Sequence, residues 1–548
     1  MASKFLKSLA LVTGIAVLWW GCGPVITFEG SRDEGLDRGF VEGGGTFTEH
    51  EDAGLLPPLV PEVEDETSTE SFFLARSIDP ASEDSAGPKF IVVGDIDNDG
   101  LPDLASAWNQ SQVVQIHLQR RDGNDVVFFS STQIAGTSPI AITAGVKLVD
   151  MDNDDWLDIV VLVKHQGYIP ICPLNGEELD DGFTGVAAIL FSPGNATTIE
   201  NGAEWTETLI TASLELNPDP PGGIPPGRPV DEGGRALDVP ENGGMTAIDV
   251  GDVTGDGNPD IVITSNRPDE PCHSDNQNDV ELYPNPGGAG ARNDAAWTQI
   301  LVDRGAQPLK ALRLVDVDID GRLDVVMTRP GTVSANISWR RSLGGGAFDA
   351  RRPIGQIDGG ADQITPGDVD GDGLVDIVVR SNNGKVVQWF RHPGPDDDLN
   401  VSVTVPPRED IPWTVYTLLD LGDRSPLGIS LGDINFDGRP EVLLGADGSV
   451  FWLDSSTAPS VYDLWSANLI VDDAQLDNSL FASQGPAFIN ELLVFDIDCD
   501  GATDIIATID RQSQSGLSND VVVWFRNVLL PGDVGLDVPL IPGCKQPP

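Results

Sequence analysis

Short apolar runs rich in β-branched residues recur along this chain in a fixed order, separated by polar, glycine-rich stretches. A first run leads into an acidic segment, as FIVVG does before Asp95 and ELLVF before Asp496. A second run follows that segment: IVITS at 261–265, IVVRS at 377–381 and IIATI at 505–509. A third has an aromatic end, VVQWFR at 386–391 and VVVWFR at 521–526. A fourth carries tryptophan near its start: EWTETLIT at 204–211, AWTQILVD at 296–303 and PWTVYTLLD at 412–420. Runs this short and β-branched, bounded by turn residues, read as strands. Four such strands per repeat, with turns between them, describe one blade of a β-propeller.

The acidic segment between the first and second strand is the most regular part of the repeat. It reads DIDNDGLPD at 95–103, DMDNDDWLD at 150–158, DVTGDGNPD at 252–260, DVDIDGRLD at 316–324, DVDGDGLVD at 368–376, DINFDGRPE at 433–441 and DIDCDGATD at 496–504. Seven copies in register define an architecture where one would be weak evidence. Oxygen donors at positions 1, 3, 5 and 9, with glycine at position 6 for a tight turn, suit a hard cation such as Ca2+. An EF-hand would need glutamate at position 12, where the first three loops have Ser106, Val161 and Ile263, and helices rather than strands as flanks.

The expected fold class is therefore all-β: a seven-bladed propeller with four-stranded antiparallel blades. The wide spacing between the second and third loops does not demand an eighth blade. That stretch holds one aromatic-type strand, VAAILFSPG at 186–194, and the surplus falls in insertions at 165–185 and 212–244. The last repeat lacks a fourth strand, and SFFLARSID at 71–79 has the character to supply it. Closure by this N-terminal strand would remove an open blade edge.

These loops and strands resemble the FG-GAP/VCBS family of calcium-loop propellers, related to the head of integrin α subunits. The resemblance spans 71–530 and implies a ligand shell in each loop, formed by the side chains at 1, 3, 5 and 9 and the carbonyl of residue 7. In this chain the first set is Asp95, Asp97, Asp99, Leu101 and Asp103, and the second Asp150, Asp152, Asp154, Trp156 and Asp158. The third is Asp252, Thr254, Asp256, Asn258 and Asp260; the fourth is Asp316, Asp318, Asp320, Arg322 and Asp324. Asp368, Asp370, Asp372, Leu374 and Asp376 form the fifth, and Asp433, Asn435, Asp437, Arg439 and Glu441 the sixth. The seventh is Asp496, Asp498, Asp500, Ala502 and Asp504. About five to seven structural Ca2+ ions are expected. Asp155 in place of glycine, Thr254, and the Asn435 and Glu441 pair predict weaker binding at the second, third and sixth loops.

The chain carries 87 acidic and 32 basic residues, a net charge of −55, which argues against nucleic acid as a partner. Lys4 and Lys7 precede the apolar stretch Leu9–Trp20 and the pair Gly21-Cys22, an arrangement that resembles a bacterial lipoprotein signal. Trp19 and Trp20 depart from that pattern, as does Leu18, one place early. Residues 1–22 are read as the signal with Cys22 as the lipidated residue, 23–70 as an acidic tether, and 531–548 as a tail. The expected setting is export and lipid anchoring at a bacterial cell envelope, on the outer membrane or cell surface, with membrane contact through the lipid only. Strand alternation puts the acidic loops on one face and the insertions at 165–185, 212–244 and 267–279 on the other. The same sorting predicts disulfides Cys172–Cys272 and Cys499–Cys544.

No HExxH motif or triad is evident among His50, His117, His165, His273 and His392. Gly428–Gly432 spells GxSxG, but it runs straight into Asp433 without the strand–turn–helix that this motif needs. The leading expectation is a monomeric, non-enzymatic interaction or adhesion module with a protein or glycan ligand on the loop-rich face. The alternatives are a carbohydrate-active enzyme on a propeller scaffold and a structural envelope component.

Overall fold

A computed structural model describes residues 73–79, 87–108, 113–121, 127–134, 141–166, 183–210, 244–266, 278–305, 309–329, 335–394, 413–455, 465–471, 487–511 and 521–528. Seven four-stranded antiparallel sheets hold more than half of them. Blade one pairs Pro88–Gly94, Asp103–Trp108, Val113–Arg121 and Val127–Gln133 in sequence order. The other blades repeat this plan, and the described residues between the second and third loops form no eighth sheet.

The first strand of each blade lies at the centre. Pro88–Gly94, Ala141–Val149, Gly244–Gly251, Leu312–Val315, Gln363–Gly367, Pro426–Gly432 and Ala487–Phe495 touch one another in turn and close into a ring. Blade seven is completed by Phe73–Asp79, which pairs antiparallel with Val521–Asn527 from Phe73↔Asn527 onward. The N-terminal closing strand is thus in the expected place, and it covers backbone groups that Val521–Asn527 would otherwise leave unpaired.

Apolar residues on both faces of each sheet fill the spaces between blades. Seven hydrophobic clusters result, one per interface, from the blade one/two contact around Ile116 and Val161 to the blade seven/one contact around Trp108 and Trp524. The repeat tryptophans Trp205, Trp297 and Trp413 are buried in three of these interfaces. They stand just before the fourth strands, which run Thr206–Ile210, Ile300–Gly305 and Thr414–Asp420. In blade three the strand begins later than the AWTQILVD run because two 3-10 turns precede it, and Trp297 Nε1 donates to the Ala291 carbonyl at 3.0 Å. Blade four inserts a small hairpin, Ser342–Gly344 with Ala347–Phe348, before its fourth strand Arg352–Gly355.

Inner strands expose one backbone edge to the axis, and side chains of neighbouring blades satisfy part of it. The Ile91 N–H donates to Glu491 Oε2 at 3.0 Å and the Leu314 N–H to Asp249 Oδ2 at 2.8 Å. Asn490 Nδ2 donates to the Pro88 carbonyl at 2.9 Å. Such bonds join blades seven to one and three to four where no ladder can form.

The expected signal, tether and tail fall outside the described residues, as do most of the three insertions and Cys22, Cys172, Cys272 and Cys544. The strand ends that flank the insertions, at Gln166 and Phe183, Ile210 and Gly244, and Asn266 and Asn278, lie opposite the acidic loops, as alternation predicts. Among the described residues no helix is long and apolar enough to cross a membrane.

Candidate metal centres in the seven acidic loops

Every acidic loop joins the first strand of a blade to the second, and all seven fold alike. Position 2 is apolar in each: Ile96, Met151, Val253, Val317, Val369, Ile434 and Ile497 are at most 3 % exposed. Each sits in the hydrophobic cluster shared with the following blade, which pins the loop to the body of the propeller. This apolar position is legible in the sequence, yet a search for oxygen ligands passes over it.

The aspartates then wrap the turn in a repeated set of hydrogen bonds. Position 1 accepts the N–H of residue 6 through Oδ2 at 2.8–3.0 Å in all seven loops. Position 5 accepts the N–H of residue 7 through Oδ1 at 2.8–3.0 Å, again in all seven. These are Asx turns, built by side chains that mimic backbone acceptors.

Residue 6 has positive φ throughout, including Asp155 at 69°, so the loss of glycine in the second loop leaves its turn intact. Position 4 is also left-handed, a requirement the glycine pattern did not reveal. There Asn98, Asn153, Ile319, Phe436 and Cys499 have φ of 56–62°. For the β-branched Ile319 and the bulky Phe436 this is a strained conformation.

Position 9 does more than offer a ligand. Its carboxylate, almost wholly buried, accepts the N–H of residue 2 at 2.8–3.2 Å in every loop. In six of the loops the second oxygen accepts an N–H near the end of the third strand, from Gln119, Ser192, Asn285, Ser342, His392 or Asn527, at 2.7–2.9 Å. Five of these residues also reach across to the position-2 carbonyl of the preceding blade: Gln119 to Ile497, Asn285 to Met151, Ser342 to Val253, His392 to Val317 and Asn527 to Ile434. Position 9 thus fastens loop to sheet, and its neighbour on the third strand fastens blade to blade. The longer Glu441 performs the same bond to Ile434 at 2.8 Å. A carboxylate has about four acceptor sites, so two backbone bonds leave room for a metal.

The carboxylates crowd together as a ligand set must. Oxygens of Asp95, Asp97 and Asp99 lie within 4.8 Å of one another, and so do those of Asp150, Asp152 and Asp158, of Asp316, Asp318 and Asp320, of Asp368, Asp370 and Asp376, and of Asp433, Asp437 and Glu441. Burial, reinforced by neighbouring carboxylates, pushes position 9 far above its ordinary range. Asp103, Asp324 and Asp376 rise to about 8, Asp158 to about 7 and Glu441 to about 9. Burial likewise lifts Asp496, at position 1 of the last loop, to about 7. Such shifts mark negative charge held in low dielectric beside like charge.

An arginine answers part of that charge in five loops, a feature the loop pattern did not reveal. Arg120 bridges Asp97 and Asp99 at 2.8 and 3.3 Å, and Arg341 bridges Asp318 and Asp320 at 2.5 and 2.8 Å. Arg526 bridges Asp498 and Asp500 at 2.5 and 2.7 Å. Arg391 pairs with Asp370 and Asp372, and Arg292, from the neighbouring blade, with Asp152 and Asp154. In the sixth blade the register position of Arg391 and Arg526 holds Asp454 instead. Among the described residues its buried Oδ1 has no hydrogen-bond partner, and burial together with Asp437 raises its pKa.

The remaining candidates have structural places. His117 is fully buried between Ser106 Oγ and Ser131 Oγ, each at 2.7 Å, and burial lowers its pKa to about 3, so it is a neutral core residue. Ser430 lies within the inner strand Pro426–Gly432 with no helix after it. Cys499 stands at position 4 of the last loop, and its expected partner Cys544 lies outside the described residues.

An FG-GAP-like repeat model matches residues 85–161, 316–379 and 368–444. No curated protein matches the chain. Among solved structures, two crystal structures of BBS1N in complex with ARL6DN are similar in fold. The one soaked with lead has a TM-score of 0.42 at 9% identity, and the one soaked with mercury 0.43 at 10%; each covers 84% of this chain and 99% of its own. A lectin from Agrocybe aegerita, described as recognising non-reducing terminal N-acetylglucosamine, has a TM-score of 0.38 at 13% identity and covers 83% of this chain and 99% of its own. The chain carries FG-GAP-like repeats on a seven-bladed β-propeller.

Proposed function

We propose that this FG-GAP-repeat propeller is a calcium-stabilised, non-enzymatic interaction module displayed outside the cytoplasm, with a protein or glycan ligand on the face opposite the acidic loops. The observation that carries the cation reading is the uniform cage. Seven loops place carboxylates at positions 1, 5 and 9 and hold them with the same turn hydrogen bonds, and most of them leave the carboxylates crowded, with position 9 raised in pKa. The Asx bonds satisfy the turn itself, so the cation's part is to neutralise charge that the turn already gathers. Ca2+ suits such all-oxygen, flexible shells, and its binding to the folded state alone adds to stability.

The binding reading follows from the division of labour between the faces. The described strand ends at Gln166, Phe183, Ile210, Gly244, Asn266 and Asn278 lead into three long connections on the face opposite the cages. Loops on a rigid scaffold are where recognition concentrates. Lipid anchoring through Cys22 and the pairings Cys172–Cys272 and Cys499–Cys544 complete the proposal.

The test is thermal unfolding of the purified protein with Ca2+ and with EDTA, alongside elemental analysis of bound metal. About five to seven calcium ions per chain and a large fall in melting temperature on chelation are expected. A protein without bound calcium and with an unchanged melting temperature would overturn the cation reading.

A further inference from the structure

The inner strands carry charge that none of the acidic loops uses. In blades two to six one register position, just ahead of each loop, holds Lys147, Asp249, Arg313, Thr365 and Ser430. Farther from the loops by one period of the pleat stand Gln363 in blade five, opposite Arg380, and Glu491 in blade seven, opposite Thr508.

These side chains meet across the axis. Lys147 of blade two, Arg313 of blade four and Arg380 of blade five all act on the carboxylate of Glu491 in blade seven. Blades four and seven stand on opposite sides of the ring, so this coupling passes through the axial lumen and not along a blade interface. All four side chains are half-buried, and burial raises the pKa of Glu491 and lowers that of Arg380 to about 10. They are enclosed by the ring and still open to its lumen.

Most of these groups are committed. Asp249 accepts Lys147 Nζ at 2.7 Å and the N–H groups of Leu314 and Val250 at 2.8 and 3.2 Å. Glu491 Oε2 accepts the Ile91 N–H at 3.0 Å. Arg380 donates through Nε to Gln363 Oε1 at 2.8 Å, and through Nη1 to Asn382 and to the Pro426 carbonyl, the latter at 3.0 Å. Arg313 differs. Its hydrogen bond among the described residues runs from Nη1 to the carbonyl of its own neighbour, Leu312, at 2.8 Å. A guanidinium has five donors, so most of its capacity is unused. Asp249 and Glu491 both lie within reach of its charge, and neither is hydrogen-bonded to it among the described residues.

The charges are also uneven. Lys147, Arg313 and Arg380 face Asp249 and Glu491, while Asp362, which also acts on Arg380, is paired with Lys310. One positive charge is left over at the axis of a protein whose net charge is −55. A planar monoanion fits this deficit, because a carboxylate matches the guanidinium fork with two parallel N–H···O bonds. A dianion such as sulfate would leave surplus negative charge beside Asp249 and Glu491, in an enclosed lumen that screens less than bulk water. We propose that Arg313, in the field of Lys147 and Arg380, binds a small carboxylate in the axial lumen, as a free ion or as the acidic group of a larger ligand entering from the loop-rich face. The second source rests on the proposed binding face; the site rests only on the ring.

The experiment is calorimetric titration of the full chain, in calcium-containing buffer, with sodium formate exchanged against chloride at constant ionic strength. Saturable binding of one formate per chain is expected. Arg313→Gln should weaken it about tenfold or more, the loss of a charge-assisted pair. Glu491→Gln keeps an oxygen for the Ile91 N–H and removes a competing charge, so it should tighten binding about threefold or more. Thermal unfolding of each variant in chloride checks its fold; should Arg313→Gln fail to fold, Glu491→Gln carries the test with the opposite sign. No saturable binding, unchanged affinity in the folded variants, or tighter binding of sulfate than of formate overturns the inference. A short uronic acid oligomer separates the sources. Binding tighter than that of formate and lost in Arg313→Gln assigns the carboxylate to a larger ligand, and any other result assigns it to the free ion. Formate binding by a protein that holds no calcium would sink the cation reading alone; calcium binding without formate binding would sink this inference alone.

Discussion

Loops five and six share a fold and differ in what faces it. In loop five Arg391 reaches Asp370 and Asp372, so a guanidinium already stands against the carboxylates. In loop six the equivalent place on the third strand is Asp454, which adds a fifth acidic or amide donor to Asp433, Asn435, Asp437 and Glu441. The backbone cage is the same in both: Gly373 and Gly438 donate to position 1, and Val369 and Ile434 to position 9. Identical turns can therefore carry different electrostatic needs. A loop with its own arginine is partly neutralised without a cation, and one with an extra carboxylate would gain more from binding one. By sequence the sixth loop ranks among the weak sites; the register of the third strand supplies a reason to reverse that ranking.

Chelation should have the largest effect. One ion held at a hundredfold over its dissociation constant contributes about 2.7 kcal/mol, and several such ions exceed the net stability of many domains. Calorimetry in EDTA should show a melting temperature lower by about 10 °C or more. If loops five and six release calcium together rather than in separable steps, the contrast between them fails.

Next in size, Glu441→Ala should destabilise the protein even in EDTA. It strands the buried Ile434 N–H and opens the loop, at a cost of about 1–3 kcal/mol in chemical denaturation. Asp376→Ala removes the acceptor of both Val369 and His392 and should cost somewhat more, independently of the arginine. A larger loss in Glu441→Ala than in Asp376→Ala would contradict the hydrogen bonding of the two cages.

The pH dependence follows from the raised position-9 groups. Folded values of about 8 for Asp103, Asp324 and Asp376 and about 9 for Glu441 lie above the unfolded values of 3.8 and 4.5. Between those limits the folded state binds more protons than the unfolded one. Without calcium, stability should therefore fall as pH rises from about 4 to about 8. With saturating calcium the trend should flatten, because the ion favours the ionised form. Denaturation curves across that range in EDTA that rise with pH would contradict the charge crowding described above.

Smaller still is the direct exchange of the differing residues. Arg391→Gln should lower stability in EDTA by about 0.5–1 kcal/mol and enlarge the shift caused by calcium, since the pair is partly exposed. Asp454→Asn should do the opposite, raising stability in EDTA and shrinking the calcium shift. Equal calcium shifts in both variants would remove the distinction. Least of all, Ile319→Gly should relieve a left-handed β-branched residue in loop four, with a gain of under about 1 kcal/mol by thermal unfolding.

Much of this molecule was legible in the chain because propeller blades are local. Strand order, the count of seven and the closing role of 73–79 follow from patterns within single repeats and from the need to cover one open edge. The same locality made the loop carboxylates readable, since five of nine positions in each loop carry the signal. Position 4 is legible only in part: Asn98, Asn153, Gly255 and Gly371 are types that favour a left-handed backbone, whereas Ile319, Phe436 and Cys499 are not. The turn geometry imposes that angle whatever the side chain, so in those three loops composition leaves no trace of it.

By itself the sequence determined the blades and the turn that gathers their carboxylates, for both depend on contacts between residues a few places apart. Only the tertiary structure decided what faces each turn. Arg391, Arg526 and Asp454 occupy one register position on the third strand, Arg292 reaches its loop from the next blade, and Asp303 draws three arginines across an interface. Charge acts through space rather than along the chain, so the balance at each centre exists only once the sheets have been brought together.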